Sequence, residues 1–170
     1  KNFSSSSIPP WVGISGITTV TIGTGLSLSS SADYMFQDLS NLVNANLSGL
    51  GVSSLTSVSN MFNGCTSLKT VTQGASASSG LVLPANMNTN GTSMFSGCTG
   101  LETVSLNSFG GRSGSGNAST FISSGDASWI DYDQMFGSCV SLKSVSINYS
   151  FNGAAHYYRQ TFLSCESLET

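Results

Sequence analysis

Apolar residues recur along the chain in a fixed order: a Met-Phe pair, then Cys, Leu and Val at intervals of three. Met61, Phe62, Cys65, Leu68 and Val71 return as Met94, Phe95, Cys98, Leu101 and Val104, and again as Met135, Phe136, Cys139, Leu142 and Val145. Phe162, Cys165 and Leu168 begin a further copy, and Met35, Phe36, Leu39, Leu42 and Ala45 form a weaker early one. A degenerate strand half at residues 17–22 precedes them all. Self-similarity at a fixed period is the signature of a repeat architecture.

The spacing within a unit predicts its elements. Met61 lies four positions before Cys65, and Phe62 three, which puts all three on one side of a helical turn. Ser59, Ser93 and Asp133 stand just ahead of the Met-Phe pairs, where a helix cap is expected. Val104-Ser105-Leu106 and Val145-Ser146-Ile147 then alternate with period two, apolar inward and hydroxyl outward, as in a half-buried strand. One such unit cannot bury its apolar face alone, so consecutive units must stack. The predicted fold is an α/β repeat solenoid with one short parallel strand and one short helical turn per unit. Residues 1–170 form a single domain on this reading, with anchors at 17, 42, 68, 101, 142 and 168. Inserts fall within 73–90 and 107–130, the latter holding a Gly/Ser-rich loop at 110–117, and the last unit is incomplete.

Composition narrows the function. Only 8% of the 170 residues are charged, against about 25% in ordinary soluble domains; Ser and Thr supply 51. A mean hydropathy of +0.12 argues against disorder, and no stretch is long and apolar enough to span a membrane. Five Lys+Arg against eight Asp+Glu, with no basic patch, exclude nucleic acid as a partner. His156 is the only histidine and the carboxylates are scattered, so no nucleophile–base pair can be named and no enzyme is expected. With no CxxC pair, neither a metal nor a cofactor site is expected. The four cysteines share one repeat position with Leu39 and are read as free, buried thiols. The chain opens at Lys1 without Met, as expected where a leading segment has been removed or the chain is an excised piece.

The strand face offers the candidate binding residues. Lys69, Glu102, Lys143 and Glu169 follow the anchor leucines and alternate in sign, so in-register strands would stack them as a charge ladder, a stacking device more than a ligand site. Two hydroxyl-rich rows lie outward: Thr19, Asn44, Thr70, Thr103, Ser144 and Thr170, and Thr21, Asn46, Thr72, Ser105 and Ser146. Such rows resemble an ice-binding surface, a remote alternative because ice needs a flat lattice. Asp126, Asp131 and Asp133 cluster beside Trp129 and Tyr132, a spacing weighed for calcium and read instead as solvated loop. The two inserts project from successive units, which would bring Asn86, Asn88, Arg112, Trp129, Asp131 and Tyr132 to a shared border with the hydroxyl rows.

The Met-Phe-x-x-Cys-x-Ser-Leu motif and the stretch from Leu47 through Leu50, Val52, Leu55 and Val58 to Met61-Phe62 resemble the BspA-like leucine-rich repeats of bacterial surface proteins. That resemblance runs from about residue 14 to residue 170, outside the inserts. It implies a leucine-rich-repeat-type solenoid, and a secreted or surface-displayed, non-enzymatic module for adhesion to a partner protein or glycan. The alternative it leaves is a structural component of an extracellular assembly such as a virion, fibre or sheath. Self-association or contact with a neighbouring chain is expected at the incomplete C-terminal repeat.

Overall fold

The computed structural model describes residues 7, 9–51, 55–73, 81–82, 91–108, 130–147, 156–157 and 159–169. Among them run ten short strands: β1 (Thr19–Thr21), β2 (Leu26–Ser27), β3 (Asn44–Asn46), β4 (Leu50–Gly51), β5 (Thr70–Thr72), β6 (Leu81–Val82), β7 (Thr103–Ser108), β8 (Ile130–Asp131), β9 (Ser144–Ile147) and β10 (His156–Tyr157). Every pairing is parallel, in the orders β1-β3-β5, β2-β4, β6-β7-β9 and β10-β8. The register is that of stacked repeats: Thr19 faces Asn44 and Asn44 faces Thr70, while Thr103 faces Ser144. Val20, Ala45 and Val71 form the next row, turned toward the core.

The Met-Phe segments are not helical; among the described residues there is no helix. In an α-helix every N–H returns to a carbonyl four residues back. Here alternate N–H groups leave the unit. Asn60, Phe62 and Gly64 donate to the carbonyls of Thr92, Met94 and Ser96 in the next unit at 2.9, 2.9 and 2.8 Å. Met61, Asn63 and Cys65 donate three residues back, to Val58, Asn60 and Phe62, at 3.2, 3.1 and 3.1 Å. The result is a column of linked turns that extends the parallel ladder around the corner of each unit. It requires left-handed backbone twice per unit, at Tyr34, Asn60, Ser93, Gln134 and Gln160, and again at Asp38, Gly64, Gly97, Ser138 and Ser164. Gly64 (φ +74°) has a second reason to be glycine, because a Cβ there would collide with the Asp38 carboxylate. The predicted caps take other roles: Ser59 N–H donates to Asp33 Oδ1 at 2.8 Å, and Ser93 N–H to the Asp133 carbonyl at 2.9 Å.

Repeat-equivalent side chains stack along the solenoid. Phe36, Phe62, Phe95, Phe136 and Phe162 form one column, with ring centroids 5.3, 5.5, 5.5 and 5.5 Å apart. Each ring pair contributes about 0.5–1.5 kcal/mol beyond its area burial. Met35, Met61, Met94 and Met135 and the anchors Leu42, Leu68, Leu101 and Leu142 are buried in the same core. Among the described residues the repeat positions that point inward are thus taken up by packing, and the strand face carries side chains that point outward.

Candidate binding face and solenoid ends

Outward side chains on the strands form short rows. Thr19, Asn44 and Thr70 are exposed on β1, β3 and β5, and Thr103, Ser105, Ser144 and Ser146 on β7 and β9. Thr70 Oγ1 donates to Asn44 Oδ1 at 2.6 Å. Asn46 and Thr72 are half-buried, and Asn46 Oδ1 accepts from the Ser48 N–H at 2.9 Å. Because β5 and β7 belong to different sheets, the rows run as two blocks.

The charges beside the anchor leucines do meet. Lys143 Nζ lies 2.8 Å from Glu102 Oε2, both about half exposed. The Lys143 hydrogen bond and charge hold the Glu102 carboxyl below the usual carboxylate range, with Lys69 helping. Glu102 in turn raises the Lys143 ammonium, and Glu169 adds to this. The ion pair that the sequence did not reveal is Arg159 with Asp133, 26 residues apart: Nε and Nη2 donate to Asp133 Oδ2 at 3.0 and 2.7 Å. Asp133 is therefore an inter-unit tether and not part of a solvated acidic loop. Among the described residues no group of His, Cys, Asp and Glu is arranged to hold a metal ion.

Of the residues expected at the insert border, Asn86, Asn88, Arg112 and Trp129 lie outside the described residues, as does Thr170 of the first hydroxyl row. Asp131 is in β8, in register with Tyr157 of β10. Tyr132 corrects the expectation. It is 1% exposed, because Gly91 makes room for its ring: a Cβ there would stand 2.8 Å from Tyr132 Cδ1. It is core, and offers no stacking platform to a ligand.

The cysteines are free, and they form a hydrogen-bonded column. Cys65, Cys98, Cys139 and Cys165 Sγ donate to the carbonyls of Phe36, Phe62, Phe95 and Phe136, one unit back, at 2.9, 3.1, 3.1 and 3.1 Å. Burial pushes the Cys65 and Cys139 thiols up to about 12, raises Cys98 well above the ordinary range and raises Cys165 too. Metal ligation and disulfide exchange both need the thiolate, so this column is built for donation and packing.

The two ends differ. At the first end the Trp11 indole donates to the Met35 carbonyl at 2.7 Å, the place that the Phe N–H of a preceding unit fills elsewhere. Beside it opens an apolar groove of about 500 Å³, lined by Trp11, Ile17, Val20, Leu26, Met35 and Phe36 among others. At the other end Phe162, Leu163 and Leu168 are 39%, 48% and 37% exposed. Sequence reasoning missed Trp11; its signal was a lone tryptophan just ahead of the first unit.

No described helix is long and apolar enough to cross a membrane. Comparisons with curated proteins and with solved structures return no match. The profile of the family described as BspA type leucine rich repeat region matches residues 12–108 and 73–123, in six copies. Its span takes in the Met35, Met61 and Met94 units, and the same turn column continues through the Met135 unit to Phe162. With the family profile covering well over half of the chain, this protein belongs to the BspA-type leucine-rich repeat family.

Proposed function

We propose that the protein is a non-enzymatic, surface-displayed recognition module that binds a partner protein or a glycan through its exposed strand face. The observation that carries this reading is the face itself: Thr70, Thr103, Ser105, Ser144 and Ser146 stand outward on strands whose inward neighbours, such as Val71, Val104 and Val145, pack on the core. Thr72 borders the row, half-buried. The inserts, with Asn86, Asn88, Arg112, Trp129 and Asp131, complete the surface in this proposal. With so few charges available, contact would rest on hydrogen bonds and stacking, and attachment would change little with ionic strength. The test is attachment of the labelled protein to intact cells, compared with a Thr103→Arg/Ser144→Arg double variant of unchanged melting temperature. Equal attachment by the folded variant refutes the face as the site. Collapse of wild-type attachment in moderate salt would instead favour the Lys69, Glu102, Lys143 and Glu169 ladder.

A further inference from the structure

Consecutive units meet on two sides, at the linked turns and again just past each anchor leucine. At the second place two successive N–H groups share one carbonyl of the unit before. Val43 and Asn44 donate to the Thr18 carbonyl at 2.8 and 3.3 Å, and Lys69 and Thr70 to that of Val43 at 2.9 and 3.3 Å. Lys143 and Ser144 donate to that of Glu102 at 2.8 and 3.4 Å, and Glu169 N–H to that of Lys143 at 2.9 Å. The joint between the Met61 and Met94 units departs from this pattern. Its equivalent donors are the Glu102 and Thr103 N–H groups and its acceptor the Lys69 carbonyl, and no such bond forms among the described residues. β5 and β7 accordingly fall in different sheets, although their nearest Cα atoms lie within 8 Å of one another. Further along, β6 takes up the same edge of β7, with Leu81 in register with Leu106. The turn side of this joint is intact: Asn60, Phe62 and Gly64 reach the next unit at 2.9, 2.9 and 2.8 Å, and the Phe62 and Phe95 rings stack within 3° of parallel. Between the two sides the chains are pinched. Gly100 N–H donates to the Thr66 carbonyl at 2.9 Å, and a Cβ on Gly100 would stand 2.8 Å from that oxygen. One joint earlier the equivalent residue is Ser67, which donates to the Ser40 carbonyl at 3.1 Å and carries a side chain.

We infer that this joint is a hinge, open on the strand side, that closes by bringing the Glu102 and Thr103 N–H groups onto the Lys69 carbonyl. Its pivot is the line of anchor leucines Leu68 and Leu101, pinched on one side and parted on the other. Lys69, Glu102 and Thr103 are exposed, so water serves their polar groups while the joint is open. Trading a water bond for a backbone bond changes the free energy little, which lets this joint hold two settings where its neighbours hold one. Charge favours closure. Glu102 Oε2 holds Lys143 Nζ at 2.8 Å, and in-register closure brings Lys69 to the other side of the same carboxylate. Closure also turns two hydroxyl blocks into one row, with Thr70 beside Thr103 and Thr72 beside Ser105. The use of that row rests on the strand-face reading above: a partner spanning both blocks draws the joint shut. The hinge itself rests on the backbone and needs no partner.

Residue-resolved amide exchange, followed by NMR on the 170-residue chain without any partner, reads the joint. Protection at Glu102 and Thr103 should lie at least about ten-fold below that at Lys143 and Ser144, their equivalents at the next joint. Gly100→Ser gives this joint the residue of the Met61 unit, which the closed geometry accommodates and the open one does not. It should raise protection at Glu102 and Thr103 by roughly ten-fold and leave Lys143 and Ser144 unchanged. A joint that is merely tight would do the reverse, exchanging faster under the added strain. Lys69→Gln removes the charge that favours closure and should lower protection at the same two amides. Should Gly100→Ser fail to fold, Lys69→Gln decides alone. Equal protection at the two joints of the parent overturns the hinge. So does a folded Gly100→Ser that exchanges as fast as the parent or faster, or a Lys69→Gln without effect. Attachment to intact cells is scored separately: a Gly100→Ser variant that closes yet attaches as the parent does overturns the coupling of hinge to face, while the Thr103→Arg/Ser144→Arg variant judges the face itself.

Discussion

Alkaline pH should unfold this protein through its cysteines. Cys65, Cys98 and Cys139 are fully buried, and each thiol donates to a phenylalanine carbonyl at 2.9–3.1 Å. Deprotonation would remove the donor and leave a buried anion facing the oxygen that had accepted it. Burial accordingly pushes Cys65 and Cys139 from 9.0 to about 12, with Cys98 well raised. The unfolded chain releases these protons near the ordinary thiol value, while the folded chain keeps them. Their stabilisation is therefore whole below about pH 9 and falls as the pH rises toward 12. Each thiol costs about 1.4 kcal/mol per pH unit in that window, and three acting together about 4 kcal/mol. A domain holding about 5–10 kcal/mol is exhausted within roughly one to three pH units, which places the transition between about pH 10 and 12.

Urea unfolding followed by circular dichroism at stepped pH measures that slope directly, with thiolate absorbance recorded on the same samples. Lysines and tyrosines titrate in the same range, so the decisive comparison is with Cys98→Ala. That variant should be less stable at neutral pH and lose stability more shallowly, by about one third of the parent slope, since one of three thiols is gone. Stability that stays flat through pH 11, or thiolate that forms at the ordinary value while the fold persists, would refute the argument.

Three other outcomes follow from the packing and the charges. Phe95→Ala opens a hole between Phe62 and Phe136 and should cost about 3–5 kcal/mol, whereas the exposed Thr103→Ala should stay within about 0.5 kcal/mol; equal melting shifts would contradict the aromatic column. Gly64→Ala should lower the melting temperature both through its left-handed backbone and through the Asp38 carboxylate, and adding Asp38→Ala should recover only part of that loss. Lys143→Glu sets a second negative charge against Glu102 and should lower the melting temperature at low salt, with the difference shrinking as salt is added; a salt-independent loss would mean that the lysine acts through packing. In the parent, the Glu102 contribution is present above the ordinary carboxylate range and disappears as the pH falls through its lowered value.

The positions of the core were legible because they repeat: the spacing that aligned Phe62, Phe95 and Phe136 in sequence is the spacing that stacks their rings. The shape of the segment carrying them was not. Intervals of three and four suit a helical turn, and they suit two linked turns equally well. What separates them is whether Asn60, Phe62 and Gly64 donate within the unit or to the next one, to carbonyls 32 residues on, a choice invisible in a local window. The left-handed positions gave little warning, since Tyr34, Gln134 and Gln160 are not residues that usually mark such backbone. Tyr132 was misread for a related reason. It was set on the binding face as part of the insert border, whereas its ring is buried in space made by Gly91, in the preceding unit.

The cysteine column shows how far a repeat alignment can be pressed. Leu39 at the same position established correctly that the site is core, since a charged or exposed role would not tolerate leucine. It did not explain why the later units choose cysteine. Each thiol reaches back to the phenylalanine carbonyl of the unit before it, an oxygen whose own-unit bond, such as Cys65 N–H to the Phe62 carbonyl at 3.1 Å, leaves a second lone pair to satisfy. The Leu39 unit has no such carbonyl behind it among the described residues; there Trp11 closes the end, and it does so on the Met35 carbonyl. Among the described residues, leucine thus stands where no such carbonyl is found, and cysteine where one is. Trp11 and Leu39 belong to one arrangement among the described residues: in the unit where no phenylalanine carbonyl is found behind it, leucine takes the cysteine position and an indole takes the place of the Phe N–H on the Met35 carbonyl.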